Sequence, residues 1–272
     1  ELWTGAGKCM GIDTPIMMYN GDIKMVQDIK VGDQLMGDDS TPRNVLSLAR
    51  GREMMYDIIP TKGDKYTVNE SHILSLKMSS GYNNKKYNYL KKNDIYDVSL
   101  LDYLNLPKGL KHVLKGYRVG VEFTYKDVDI EPYFLGLWLG DGTSRNTGIT
   151  TIDNCVIDYL NGYAERLDLK VTLCDSNKTR CCTYIIVKGI KKLESNKLLT
   201  MLKNHNLLLN KHIPKNYKCN SREVRLELLA GIIDSDGSES HGGYDIIQKN
   251  EILLDDIIYV ARSLGFAAYK KV

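Results

Sequence analysis

Between Gly11 and about Leu76, apolar residues come in pieces a few positions long. Each piece is broken by a turn signal: Thr14-Pro15, Asn20-Gly21, Val31-Gly32-Asp33, Gly37-Asp38-Asp39 and Lys62-Gly63-Asp64. Short apolar pieces between such breakers predict strands joined by turns, so residues 9–76 are expected to be all-β. The sharpest local signal is Asn20-Gly21, flanked by Ile16-Met17-Met18-Tyr19 and Ile23-Lys24-Met25-Val26, which predicts a hairpin. After Pro132 the pattern becomes helical. Pro132 suits the first turn of a helix running through Leu139, and Ser221 is placed to cap a second from about Arg222 to Ile233.

Each helix ends in an acidic turn, and the stretch beyond that turn is repeated. Gly140-Asp141-Gly142-Thr143 leads into short polar strand-like pieces, then Asn154 and an amphipathic stretch from Val156 to Leu167. Ser235-Asp236-Gly237-Ser238 leads into Gly243 to Gln248, then Asn250 and Ile252 to Leu264. Asp141 to Asn154 is 13 positions and Asp236 to Asn250 is 14, and the next interval, to Leu167 or Leu264, is again 13 or 14. Two related α+β subdomains are expected.

Both helices carry glycine inside an apolar run, FLGLWLGDG at 134–142 and LAGIIDSDG at 229–237. A helical glycine costs about 1 kcal/mol against alanine, so Gly136 and Gly231 need a reason. Close packing of the two helix backbones supplies one, and it would bring Asp141 and Asp236 side by side. Two carboxylates held close repel unless a cation neutralises them. Mg²⁺ or Mn²⁺ suits hard oxygen ligands and can bridge to phosphate, activating water and assisting a leaving oxygen.

The two segments, 95 positions apart, resemble the paired LAGLIDADG motifs of single-chain homing endonucleases, especially those embedded in inteins. The first departs from the consensus at Trp138-Leu139-Gly140, and the second has Ile232 in place of leucine. The resemblance implies Asp141 and Asp236 as metal ligands and catalytic acids, with double-stranded DNA as substrate. Asn210-Lys211-His212-Ile213-Pro214 resembles the Lys-x-Ile-Pro segment of these enzymes, which makes Lys211 a candidate for stabilising charge on the phosphorane or orienting water. An ordinary surface lysine would read the same way.

Near the start, Cys9-Met10-Gly11-Ile12-Asp13-Thr14-Pro15-Ile16 resembles the first block of inteins, and Thr67-Val68-Asn69-Glu70-Ser71-His72 fits the Thr-x-Asn-x-x-His pattern of the second. The resemblance implies that Cys9 attacks the preceding Lys8 carbonyl to give a thioester. His72 would protonate the departing amine, and Thr67 and Asn69 would polarise or distort the scissile carbonyl. Glu1 to Lys8 would then be the tail of a host protein spliced in cis. Gly5-Ala6-Gly7-Lys8 looks like the opening of a phosphate-binding loop, although no Ser or Thr follows Lys8, and a host ATPase is expected. The His-Asn pair and the last strands of such an insert do not precede Val272, so complete splicing is not expected of this chain. The second basic residue of the nuclease site would also lie beyond it.

Charge sharpens one further region. From Lys77 to Arg118 there are nine Lys or Arg against three Asp, interleaved with Tyr82, Tyr87, Tyr89, Tyr96, Tyr103 and Tyr117. Lys85, Lys86, Lys91, Lys92, Lys111, Lys115 and Arg118 are therefore candidate DNA contacts. A solvated polar insertion has the same composition. The whole chain is only mildly basic, at +3, which permits a nucleic-acid partner without arguing for one. The six cysteines have no two-residue spacing suited to zinc, and no apolar run of about 18 residues or secretion signal appears, so an intracellular, soluble monomer is expected.

The expected organisation is α+β in two domains: an all-β Hint-type splicing domain, then a pseudo-twofold LAGLIDADG endonuclease with an incomplete second repeat. Residues 1–8 would be host remnant, 9–76 splicing domain, 77–125 a basic, tyrosine-rich DNA-recognition insertion and linker, and 126–272 endonuclease, with repeats at about 131–220 and 221–272. A nucleic-acid binder of the same fold without cleavage is the alternative, against which the retention of both aspartates speaks. A P-loop ATPase would rest on the first eight residues alone, and a Hedgehog-like autoprocessing domain would lack the repeated acidic helices.

Overall fold

The computed structural model describes residues 9–174, 182–189 and 195–271. Gly5-Ala6-Gly7-Lys8 and Cys181 lie outside the described residues. The chain divides into two compact units, one formed by the residues up to Val121 together with those from Gly265, the other by Glu122–Leu264.

The first unit is built largely from short antiparallel strands. β1 (Pro15–Met17) pairs with β2 (Ile23–Met25), Pro15 opposite Met25 and Met17 opposite Ile23. The expected hairpin is present, closed by Met18 N donating to Asp22 O at 2.8 Å, with Gly21 at φ 85°. Its loop is longer than two residues, with glycine supplying the left-handed position. β3 (Gln34–Met36) pairs with β4 (Pro42–Asn44), and β5 (Met55–Ile58) with β6 (Tyr66–Asn69). β7 (Ile73–Met78) lies between β8 (Ile95–Ser99) and β9 (Leu114–Lys115), and two short helices, α1 (Leu100–Leu104) and α2 (Lys108–Val113), connect β8 to β9.

This sheet corrects the expected boundary after Leu76, which falls in the middle of β7. Residues beyond it share a core with residues before it: Val68 and Leu74 pack in one cluster with Met78, Tyr87, Leu90 and Leu110. The charges that dominate the composition of 77–118 stand between these apolar positions and face water, so the net balance concealed a core-forming segment.

The second unit holds the repeat. α3 (Pro132–Asp141) is followed by β10 (Gly148–Thr151), α4 (Asn154–Arg166), β11 (Leu169–Cys174) and β12 (Cys182–Lys188), with antiparallel sheet order β10-β12-β11. α5 (Lys197–Asn204) and α6 (Lys215–Lys218) lead to α7 (Arg222–Asp236), the hairpin of β13 (Gly237–Ser240) and β14 (Gly243–Ile246), and α8 (Glu251–Ser263). His241 and Gly242, both at positive φ, form the two-residue loop of that hairpin.

The helix after each acidic turn is capped by a side chain. Asn250 receives Ile252 N at 3.0 Å, whereas in the first copy the cap is Asp153, one residue ahead of Asn154, receiving Cys155 N at 2.8 Å. Ser221 stands at the start of α7, but its side chain makes no capping bond. Asn220 organises that turn instead, its Oδ1 accepting from Ser221 N at 2.7 Å and Lys126 N at 2.9 Å. Phe134, Leu135, Leu137, Trp138 and Leu139 of α3 are all buried, so this helix is apolar on every side, as a helix enclosed by protein must be. No helix among the described residues is long and apolar enough to cross a membrane.

Candidate active sites

α3 and α7 meet through their glycines. A methyl group at Gly136 would run into the Leu228 carbonyl oxygen and lie 2.9 Å from the Gly231 Cα. One at Gly231 would run into the Tyr133 carbonyl oxygen and lie 3.1 Å from the Gly136 Cα. Only glycine permits this approach, because the obstacles are backbone and cannot rotate away. The helices therefore end together, Asp141 closing α3 and Asp236 closing α7. Side-chain placement agrees, for the Asp236 carboxyl carbon lies 3.3 Å from where a Cβ on Gly140 would stand.

Both carboxyls are pushed above their ordinary range. Burial is the larger cause for Asp141, and the Asp236 charge adds to it while Lys211 opposes. Asp236 is raised by burial, again against Lys211. Each also stands at the negative end of a helix, a further disadvantage to an anion. Negative charge in excess at this point is what a cation would relieve. Among the described residues no three His, Cys, Asp or Glu gather as a metal cage. Two carboxylates alone suit an ion such as Mg²⁺, which keeps several waters and takes phosphate oxygens as further ligands.

Lys211 lies at the same point. Its Nζ donates to the last carbonyls of α3, Leu139 at 3.0 Å and Gly140 at 2.9 Å, and stands 5.3 Å from the Trp138 ring centroid. Burial pulls its pKa down to about 8, against the raising effect of Asp236 and Asp141. Its loop is held from the second repeat. Asn250 Nδ2 donates to Lys211 O at 2.7 Å, and buried Asp256 accepts from Ile213 N at 2.9 Å and Lys218 Nζ at 2.5 Å. Gln248 Nε2 approaches Asp236 Oδ2 at 3.4 Å. Sequence reasoning missed Gln248 and Asp256. Asp256 had a readable signal, a carboxylate on the face of α8 that carries Leu253, Ile257 and Val260, all buried.

The splicing candidates cluster in the first unit. Cys9 lies antiparallel to the end of β6: Asn69 N donates to Cys9 O at 3.1 Å, and Gly11 N donates to Thr67 O at 2.7 Å. The fully buried Asn69 turns its side-chain oxygen to the Cys9 N–H, at 3.0 Å. Asn69 thus touches the nitrogen of the Lys8–Cys9 peptide bond, where its expected contact was the carbonyl, which lies outside the described residues. The Thr67 hydroxyl donates to Asp57 Oδ1 at 2.7 Å, a contact not read from sequence. That bond first, then Lys65, holds the Asp57 carboxyl below its usual range. His72 is fixed through its backbone, donating to Asn69 O at 3.2 Å and accepting from Leu100 N at 2.9 Å.

The basic candidates divide. Lys85, Lys86, Lys91, Lys92 and Lys115 are exposed. Lys111 donates to Leu104 O at 2.6 Å, and Arg118 bonds the Tyr269 hydroxyl with its guanidinium 5.3 Å from that ring centroid. The tyrosines largely leave the surface: Tyr87 is buried, and Tyr82, Tyr96 and Tyr103 pack against the core, while Tyr89 remains 58% exposed.

The family model described as "Hom_end-associated Hint" matches residues 9–112, past the boundary expected at Leu76. That described as "Homing endonuclease" matches residues 126–217 and 212–272. A replicative DNA helicase DnaB of Mycobacterium intracellulare is 26% identical over 96% of the chain and 43% of its own length. The homothallic switching endonuclease of Saccharomyces cerevisiae is 30% identical over 50% of the chain and 27% of its own length. The catalytic subunit of a V-type proton ATPase from Candida tropicalis is 34% identical over 25% of the chain and 7% of its own length. The chain spans less than half the length of each of these relatives. With a Hint domain leading into a matched endonuclease region that carries both glycine-bearing helices, the chain belongs to the homing endonuclease family and is an intein carrying a homing endonuclease.

Proposed function

We propose that the repeat unit is a LAGLIDADG-type endonuclease that cuts double-stranded DNA at a specific site, the uninterrupted host gene, by metal-dependent phosphodiester hydrolysis. The observation that carries this reading is the pair of raised carboxyls, Asp141 and Asp236, at two helix ends joined through Gly136 and Gly231. Mg²⁺ or Mn²⁺ held there would supply a Lewis acid for the phosphate and an acidified water. Asp141 and Asp236 hold and orient that charge, and Lys211, partly neutral at mildly alkaline pH, accepts a proton from water or stabilises charge on the phosphorane. The exposed Lys85, Lys86, Lys91, Lys92 and Lys115 add non-specific attraction to phosphate, while Lys111 and Arg118 serve mainly their protein partners. One chain carries both repeats, so a monomer suffices.

Cys9 would begin the self-processing half. Its thiol gives up its proton as the sulfur attacks the Lys8 carbonyl, the C–N bond breaks, and the nitrogen leaves as an amine carrying a proton given by His72, so that the proton lost from sulfur balances the one gained by nitrogen. Asn69 holds the nitrogen side of the bond, and Thr67 fixes β6 through Asp57. On this reading Glu1 to Lys8 would be the remnant of a host protein.

A supercoiled plasmid bearing the uninterrupted host gene, incubated with Mg²⁺, tests the nuclease reading. The unsubstituted chain is expected to linearise it, and Asp141→Asn and Asp236→Asn to leave it closed. Equal cutting by all three would remove the metal assignment. Release of the eight-residue peptide by added thiol, absent from Cys9→Ala, tests the acyl shift.

A further inference from the structure

We infer that Glu53 is a positioning residue for the acyl shift at Cys9: its carboxylate fixes the Asn69 amide with the oxygen facing the nitrogen of the Lys8–Cys9 bond. This rests on the reading of Cys9 as the nucleophile. Glu53 belongs to neither splicing motif and stands 16 residues before Asn69, in the exposed segment ahead of β5.

The two ends of an asparagine amide are nearly the same size, so its partners decide which end points where. Asn69 Nδ2 donates to Glu53 Oε2 at 2.8 Å and to Ser71 Oγ at 3.0 Å, while Oδ1 accepts from Cys9 N at 3.0 Å. The Ser71 hydroxyl can donate or accept and so selects neither orientation. An ionised carboxylate only accepts, so Glu53 selects the NH₂ group and leaves the oxygen for Cys9. Turned over, the amide would set its own N–H groups against the Cys9 N–H.

The orientation matters most during reaction. As sulfur bonds to the Lys8 carbonyl carbon and the C–N bond breaks, the nitrogen takes up a proton and gains positive charge. An N–H···O bond strengthens when its donor becomes charged, so the Asn69 oxygen stabilises the transition state more than the resting peptide. Glu53, behind the amide, polarises it in the same sense.

Thiol-induced release of residues 1–8 from the full chain, followed by mass spectrometry, tests this. Glu53→Ala is expected to slow release about tenfold to a hundredfold, the loss of one hydrogen bond to a charged group. Glu53→Asp keeps a carboxylate, which only accepts, and is expected to recover more of the rate than Glu53→Gln, whose amide can donate as well as accept and so selects neither orientation. In an unreactive Cys9→Ala background, Glu53→Ala should also shift the amide proton resonance of residue 9 upfield while resonances of the second unit stay in place. Release by the wild-type chain matched by Glu53→Ala overturns the positioning role alone, as does a slowed variant whose residue 9 resonance does not move. No release beyond that of Cys9→Ala overturns the nucleophile reading, and this inference with it.

Discussion

The two units assemble their sites from opposite materials. Around Cys9 the polar contacts are matched at Asn69, which is buried, yet its amide oxygen and nitrogen both have partners, and the backbone of Cys9 is laced to β6. At the ends of α3 and α7 the groups are in conflict, with two carboxyls whose charged forms are disfavoured and a lysine whose charged form burial disfavours. Buried polar groups with partners fix one geometry, whereas uncompensated charges bind whatever cancels them. On the proposed reading, the first site serves a reaction of the chain on itself, and the second would take a cation and a phosphate from outside.

Cleavage gives the largest effects by which to break this contrast. If Asp141 and Asp236 hold the metal as proposed, Asp141→Asn and Asp236→Asn each remove a ligand and its charge, and each is expected to lower plasmid cleavage by at least about a thousandfold. Lys211→Met is expected to cost about a hundredfold. Lys211→Arg keeps the charge but titrates far higher, so any inflexion near pH 8 in single-turnover cleavage should vanish in that variant. Persistence of that inflexion would remove Lys211 from proton transfer.

Packing gives the next effect. Gly231→Ala adds helix propensity worth about 1 kcal/mol, but its methyl meets the Tyr133 carbonyl oxygen and the backbone of α3. Overpacking of this kind costs about 1–3 kcal/mol, and more where the obstacle is backbone. Net destabilisation of the second unit is expected in denaturant melts, with metal affinity weakened as the helix ends part. A variant of unchanged stability and affinity would break the link between glycine contact and site.

The glycine pair and its following acids were legible because both requirements are local: a helix crossing needs glycine at the contact, and the helix ends at the acid. The hairpin at Asn20-Gly21 was legible for the same reason. The core within the basic segment was not legible, because net charge counts residues without regard to which face they occupy; Met78, Tyr87 and Leu110 carry the core between the lysines. The repeat aligned Asn154 with Asn250, whereas the residues that cap α4 and α8 are Asp153 and Asn250, because Asp and Asn serve equally well and the aligned spacing does not fix the cap. Glu53 and Gln248 act through tertiary contacts that no local spacing announces; Asp256 stands on the apolar face of α8, but its partner Ile213 lies 43 positions away, so the pattern could show a buried carboxylate and not what it binds.

The smallest effect separates the two kinds of site most cleanly, because it concerns stability without substrate. The Asp236 carboxyl is raised in the fold, so its protonated form is the one folding prefers. The stability it contributes is complete below the ordinary carboxylate range, near pH 4, and is lost as pH rises through the raised value. At neutral pH without metal, ionised Asp236 therefore opposes folding. Lys211 acts in the other direction and in another window, with stability present above about pH 10.5 and lost as pH falls through about 8. Asp236→Asn keeps the shape and removes the charge, so it should raise the metal-free Tm by about 2–4 °C, as ~1 kcal/mol does in a domain of this size. Mg²⁺ should then raise the Tm of the unsubstituted chain and leave the variant where it was, since ligand binding stabilises only a fold that holds the ligand. Asn69→Asp supplies the contrast: it replaces the amide donor with a carboxylate facing Glu53 and Ser71, and should lower the Tm with or without the metal. Calorimetry of both variants with and without Mg²⁺ compares the two designs in one measurement. A metal-free Asp236→Asn chain less stable than its parent would mean that charge conflict is not what shapes the end of α7.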